Sequence, residues 1–343
     1  MKNNRIQFWR VVFTYLIALY HLNKEFNITT SWYIGVEFFF ILSGYLLMKK
    51  AEKSNESAAK YTLDKVQRFF PHCLFAFFIA FGGYGFLHGY TLKEWGVNFL
   101  NSLTEIFLIH EIGLNYDPSS KMNSVTWYIS VLLIVGYFMW YMVKNHKKVY
   151  VEVIAPFLVL FIYAYLYRTY GNLSKQGETI GFWLNSEMLR GIAAMNCGVI
   201  AFYAKALLDK FKMNNNAKKC MIIISDLCFA LVILGGAFAH NGAYDYMYVV
   251  LYVIAIVFAF TDEKPRWYFN NKLVDFLGTI SFSVYVNHNM FRYVFKRLLL
   301  ENLSITSYII YLVLITVYSI CTYILVNKLV KVTGRCCKKI FGE

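Results

Sequence analysis

Arg10 and His21 lie eleven residues apart in a single apolar run. Eleven helical steps of about 100° return to within about 20° of the same face, and at about 1.5 Å per residue the two side chains stand ~16 Å apart along it. The arginine then sits near one membrane surface, where span-end arginines ordinarily snorkel to headgroups. The histidine, the side chain that exchanges protons near neutral pH, lies toward the opposite surface. Glu37, Glu187, Arg190, His288 and Arg292 also fall inside apolar runs. Ionisable groups are costly at such positions, which makes each a candidate for function. Acids, bases and imidazoles grouped in this way suit either acid–base catalysis or the proton relay of a transporter. The plainer readings are that Glu37 is the buried partner of Arg190 and that His288 holds its helix against a neighbour. Lys60, Lys65 and Arg68, in KYTLDKVQRFFP, are orientation signals beside anionic lipid, or cations placed to meet a phosphate-bearing ligand from the cytoplasm.

The elements that position these residues follow from composition. The chain has 343 residues, of which 58% are hydrophobic and 16% charged. An average soluble domain is about 25% charged, and no soluble fold of this size hides so much apolar surface. The chain therefore reads as an all-α, polytopic integral membrane protein, with residues 1–343 forming one domain and no separate soluble module. The net charge of +14 is distributed between apolar runs, which argues for membrane orientation and against nucleic-acid binding. Seven cysteines show neither metal-ligand spacing nor a disulfide framework, and Cys336 and Cys337 in the basic tail read as free thiols. Lys2 and Arg5 before an apolar run resemble a signal peptide, but no small-residue cleavage site follows, so residues 6–22 are taken as a retained first span.

Spans of about 20 mostly apolar residues are expected at 6–22, 31–48, 69–88, 124–143, 149–167, 180–204, 220–239, 243–261, 274–296 and 306–327. A further stretch, Trp95 to Ile109, is interrupted by Asn98, Asn101, Ser102, Thr104 and Glu105. Its apolar residues recur at helical spacing, which suits a helix lying at the interface. With ten spans and both termini cytoplasmic, 25 of the 34 Lys and Arg residues fall inside and seven outside. Counting the eleventh stretch as a span would flip every later loop and remove that asymmetry. On this arrangement His21, Glu37, Glu187, Arg190, His288 and Arg292 reach one level in the outer half of the membrane, from segments far apart in sequence. Such convergence implies a polar cavity.

Three passages resemble the acyltransferase-three family of bacterial membrane O-acyltransferases. RVVFTYLIALYH carries the family's arginine, ten residues, histidine pattern at Arg10 and His21. YIGVEFFFILSGYLLMKK is similar to its Gly-Val-acid stretch leading to Phe-Phe and Ser-Gly, here Gly35, Val36, Glu37, Phe39, Phe40, Ser43 and Gly44. LGTISFSVYVNHNMF resembles its late Leu-Gly, Ser-aromatic-Ser, Tyr, His segment, here Leu277, Gly278, Ser281, Ser283, Tyr285 and His288. The passages stand in family order across essentially the whole chain. One departs from pattern: in TWYISVLLIVGY, Val131 and Leu132 occupy the place where many members carry a glutamate. The sequence looks more like the shorter branch that modifies surface polysaccharides.

The resemblance implies transfer of an acyl group, most often acetyl, from acetyl-CoA on the cytoplasmic side to a hydroxyl of a glycan on the outer side. It implies a multi-pass protein of a bacterial plasma membrane with no permanently bound cofactor or metal. Its partners would be acyl-CoA, a glycan acceptor and the bilayer; oligomeric state stays open. Arg10, Lys65 and Arg68 would dock the CoA phosphates. His21 would serve as general base or transient acyl carrier, and Glu37 would fix its tautomer. Arg190 or His288 would offset the developing oxyanion, with Glu187 at the same level. The competing expectation is a transporter or flippase of a glycan or organic acid, weakened because no internal repeat relates the two halves.

Overall fold

A computed structural model describes residues 3–113, 122–175, 177–180, 184–238, 242, 244–261, 271–299 and 303–341. Lys121, Lys264 and Arg266, the expected span ends at 239 and 243, and the side chains of Cys336 and Cys337 lie outside the described residues. The helices are α1 (Asn4–Glu25), α2 (Gly35–Ala51), α3 (Ala58–His88), α4 (Leu92–Asn101), α5 (Leu103–Ile106), α6 (Trp127–Asn145) and α7 (Lys147–Val149). They continue with α8 (Ala155–Tyr170), α9 (Ser186–Leu208), α10 (Asn215–Phe238), α11 (Asp245–Ala259), α12 (Lys272–Leu299) and α13 (Ile305–Phe341). A π-helical stretch, Tyr150–Ile154, joins α7 to α8 as one rod. The described strands, β1 (Thr179–Ile180) and β2 (Leu184–Asn185), form an antiparallel pair with Thr179 opposite Asn185.

A helix stands at each of the ten expected spans. Six helical stretches are, by length and composition, able to cross a membrane: Ala58–His88, Ser124–Asn145, Lys147–Tyr170, Ser186–Leu208, Asn215–Phe238 and Ile305–Thr333. The fold is thus that of a polytopic, all-α membrane protein. α11 is apolar but only 15 residues long. The others, α1, α2 and α12, carry His21, Glu37 and His288. The polar groups that make these helices candidates for chemistry also lower their hydropathy. Outward-facing Phe138, Phe161, Leu231 and Ile324 are more than half exposed, as a surface solvated by lipid requires.

The Trp95–Ile109 stretch is not one continuous helix. α4 has ten residues and α5 four, with a break at Ser102. α4 begins with a capping box, in which the Thr91 backbone and hydroxyl donate to Glu94 Oε2 at 2.7 and 2.8 Å. Those hydrogen bonds hold the Glu94 carboxyl below the usual carboxylate range.

Lipid tails are as apolar as leucine, so helices associate here through close packing and polar contacts. The tightest seam joins α2 and α9. A Cβ on Gly44 would lie 2.0 Å from the Met195 carbonyl oxygen, and one on Gly198 would lie 2.1 Å from that of Ile41. The two backbones touch because neither position carries a side chain. Phe13, Phe38, Phe229 and Tyr252 fill the space between α1, α2, α10 and α11, with Phe13 and Phe38 ring centroids 4.7 Å apart. Ala18, Leu22, Ile280, Val284, Tyr311 and Ile315 bind α1, α12 and α13 into a second cluster.

Candidate active site

α1 and α12 run parallel in direct contact. At one end the Gln7 side chain fills the space where a Cβ on Gly278 would stand, 1.6 Å from its Nε2. Fourteen residues further along each helix, His21 meets Arg292. Arg292 Nη1 donates to His21 Nδ1 at 2.9 Å and lies 3.3 Å from the His21 carbonyl oxygen. The guanidinium is itself held by Tyr293 Oη, which accepts from Nη2 at 2.9 Å, and by Glu25 Oε1, 3.5 Å from Nε. Lys296 Nζ stands 3.6 Å from the other Glu25 oxygen.

His288, one turn before Arg292, is fully buried and its ring centroid is 5.0 Å from that of His21. Its Nδ1 lies 2.5 Å from the Tyr285 carbonyl oxygen. Tyr285 is anchored in turn by its hydroxyl, which donates to the Val125 carbonyl at 2.8 Å. Asn123 Nδ2 donates to the Val286 carbonyl at 2.9 Å, so the segment before α6 grips α12 beside His288. Glu105 shapes that segment by accepting from the Met122 and Asn123 amides, both at 2.8 Å.

At the other end of the α1–α12 contact, Arg10 and Arg68 border two adjoining cavities. One, of 390 Å³, is lined by Gln7, Gln67, His72, Tyr323 and Asn327. The second, of 150 Å³, adds Lys65, Ser43, Tyr128 and Tyr285. Arg10, Arg68 and Phe282 line both. Arg10 is turned by Gln7 Oε1, which accepts from its Nη1 at 3.0 Å. Lys65 Nζ lies 5.4 Å from the Tyr61 ring centroid, and the Arg68 guanidinium 5.8 Å from that of Phe69. All three cations expected at the cytoplasmic end therefore border one cleft. Tyr285 stands between that cleft and the histidines, lining the small cavity and meeting His288 through its carbonyl.

Glu37 and Arg190 meet each other. Arg190 Nε donates to Glu37 Oε1 at 2.9 Å, with Nη2 2.8 Å from the same oxygen, and Tyr163 Oη donates to Oε2 at 3.2 Å. Both residues are almost completely buried, at 0% and 2% exposure, and the guanidinium lies 5.3 Å from the Trp127 ring centroid. The glycine seam brings α2 and α9 close enough for this pair. The Glu37 carboxylate is thus occupied by Arg190 and Tyr163, and the group that meets His21 is Arg292. Glu187 shapes the loop before α9, its two oxygens accepting from the Gly177 amide at 2.7 Å and the Ser186 hydroxyl at 2.8 Å.

Several contributors carried no signal of their own in the sequence. Tyr163 lies in a wholly apolar run, and Glu105 lies outside the spans. Arg292 was legible as an intramembrane charge one turn from His288, but its partner on α1 was not. Val131 packs against Gly191, where an added Cβ would meet Val131 Cγ1 at 2.1 Å. Val131 is thus packed into the α6–α9 contact, while its neighbour Leu132 lines the small cavity beside Arg10.

A continuous match to an acyltransferase domain covers residues 4–326, and the chain belongs to the acyltransferase-3 family of membrane O-acyltransferases. The match includes His21, His288, Arg292 and the three cations of the cleft. No curated protein and no solved structure matches the chain.

Proposed function

We propose that this membrane acyltransferase moves an acetyl group from a cytoplasmic CoA thioester to a hydroxyl of a cell-surface or lipid-linked glycan. One observation carries the reading: the cleft bordered by Arg10, Lys65 and Arg68 and the His21–His288 pair both lie along the α1–α12 contact. Three cations suit the phosphates of a CoA donor. The ~16 Å between Arg10 and His21 along α1 suits a thin thioester arm laid alongside the helix with its carbonyl at the imidazoles. A buried imidazole pair then provides the proton transfers that acyl transfer to a hydroxyl needs.

The membrane arrangement belongs to the same proposal: ten spans, both termini cytoplasmic, in a bacterial plasma membrane. Parallel packing of α1 with α12 supports it, because the first and ninth spans of such a chain must run in the same direction. Had the Trp95–Ile109 stretch crossed, α12 would have run antiparallel to α1. The test uses membranes from cells producing wild-type or His21→Ala protein, supplied with acetyl-CoA bearing a labelled acetyl group. Label should enter glycan in wild-type membranes and fall by at least about a hundredfold in the variant, at equal protein level. Full activity in the variant would remove the imidazole pair from the mechanism.

A further inference from the structure

Given that reaction, the hydrogen-bond partners of the two imidazoles fix which of them takes the proton. An arginine only donates, so the nitrogen that Arg292 Nη1 meets at 2.9 Å, His21 Nδ1, must be the acceptor. Neutral His21 then carries its proton on Nε2. A backbone carbonyl only accepts, so the His288 nitrogen 2.5 Å from the Tyr285 carbonyl, Nδ1, must carry the proton. His288 therefore has its lone pair on Nε2, which is buried and has no hydrogen-bond partner among the described residues. The two rings are 5.0 Å apart, centroid to centroid. One presents an N–H and the other a free lone pair, and His21 Nε2 likewise has no hydrogen bond among the described residues.

We infer that His288 is the general base of the transfer and that His21 is the hydrogen-bond donor to the oxyanion. His288 Nε2 takes the proton of the acceptor hydroxyl as its oxygen bonds to the thioester carbonyl carbon. The carbonyl π electrons move to oxygen, which accepts the hydrogen bond from His21 Nε2–H. When the tetrahedral adduct collapses, the C–S bond breaks and the leaving sulfur receives the proton from His288. The products are the ester and the free thiol, and both imidazoles return to their starting state. Arg292 is a positioning residue. For His21 to act as base through Nε2 it would need its proton on Nδ1, facing the N–H of Arg292, and two donors would then oppose each other.

Two measurements test the assignment. Solid-state NMR of bilayer-embedded protein with isotope-labelled histidine nitrogens reads the tautomers without any donor or acceptor. Among the seven histidines, His21 should be protonated on Nε2 and His288 on Nδ1, with His21→Gln and His288→Gln proteins identifying the signals. In thiol release from acetyl-CoA by producing membranes, His288→Gln should lose ~10²–10⁴-fold. His21→Ala should lose ~10²–10³-fold, and His21→Gln, which keeps an N–H, should recover at least about tenfold of that. A proton on His288 Nε2, or a His288→Gln protein within about tenfold of wild type, overturns the assignment. Expected tautomers in a wild-type protein that releases no thiol would instead overturn the acetyl-CoA reaction and leave the imidazole chemistry standing on the spectrum.

Discussion

Glu37 is held by Arg190 and Tyr163 where no water competes. Removing one partner of such a pair leaves an uncompensated charge, which costs about 3–5 kcal/mol. Glu37→Ala should therefore lower the thermal unfolding midpoint of detergent-purified protein sharply. The double variant Glu37→Met, Arg190→Met should recover much of the loss, because apolar replacement of both partners is often neutral or stabilising. The cleft cations obey a different logic. On the proposed reaction Arg68 would meet the donor in its ground and transition states alike, so Arg68→Gln should raise the KM for acetyl-CoA by about tenfold and leave kcat nearly unchanged. Steady-state kinetics with varied donor separates the two. Residue identity and helical rise sufficed to bring Arg10, Lys65 and Arg68 to one end of the molecule and His21 and His288 to one depth. They did not give azimuth. Whether His21 faces Glu37 or Arg292 depends on which helices are lateral neighbours, and hydropathy does not encode that order.

Helix positions were legible because each apolar run must bury its own backbone hydrogen bonds in lipid. Helix pairing was less so, and α2 with α9 shows why. Gly44 and Gly198 are two glycines among 20 in the chain, and only the packed structure reveals that each faces a backbone carbonyl. Gly44→Leu or Gly198→Leu should force α2 and α9 apart, break the Glu37–Arg190 contact and leave little folded protein on size-exclusion chromatography. Gly82→Ala is the control. A Cβ there meets nothing within 4 Å, and Ala is favoured over Gly inside a helix by roughly 0.5–1 kcal/mol. Its unfolding midpoint should stay the same or rise slightly. The π-helical stretch at Tyr150–Ile154 was equally hidden, since a one-residue change in helical pitch leaves the hydropathy profile unaltered.

At the scale of the molecule, the basic-residue asymmetry assigns sides to exposed positions. In a background with Cys220, Cys321, Cys336 and Cys337 replaced, single cysteines at Lys53 and Lys212 should react with a membrane-impermeant maleimide only after the cells are opened. Cysteines at Lys24, Lys93 and Lys175 should react in intact cells; all five lysines are exposed. Reaction of position 53 in intact cells would invert the topology. A different consequence follows from the parallel contact of α1 and α12. His21 emerges from the ribosome 271 residues before Arg292, a delay of roughly 15–55 s at the usual ~5–20 residues per second. During that interval the first helix holds an unsatisfied imidazole in the membrane with its final neighbour still unmade. Nascent chains arrested before α12 should therefore crosslink from position 21 to the insertion machinery or to lipid headgroups, and release that contact once residue 292 has been made.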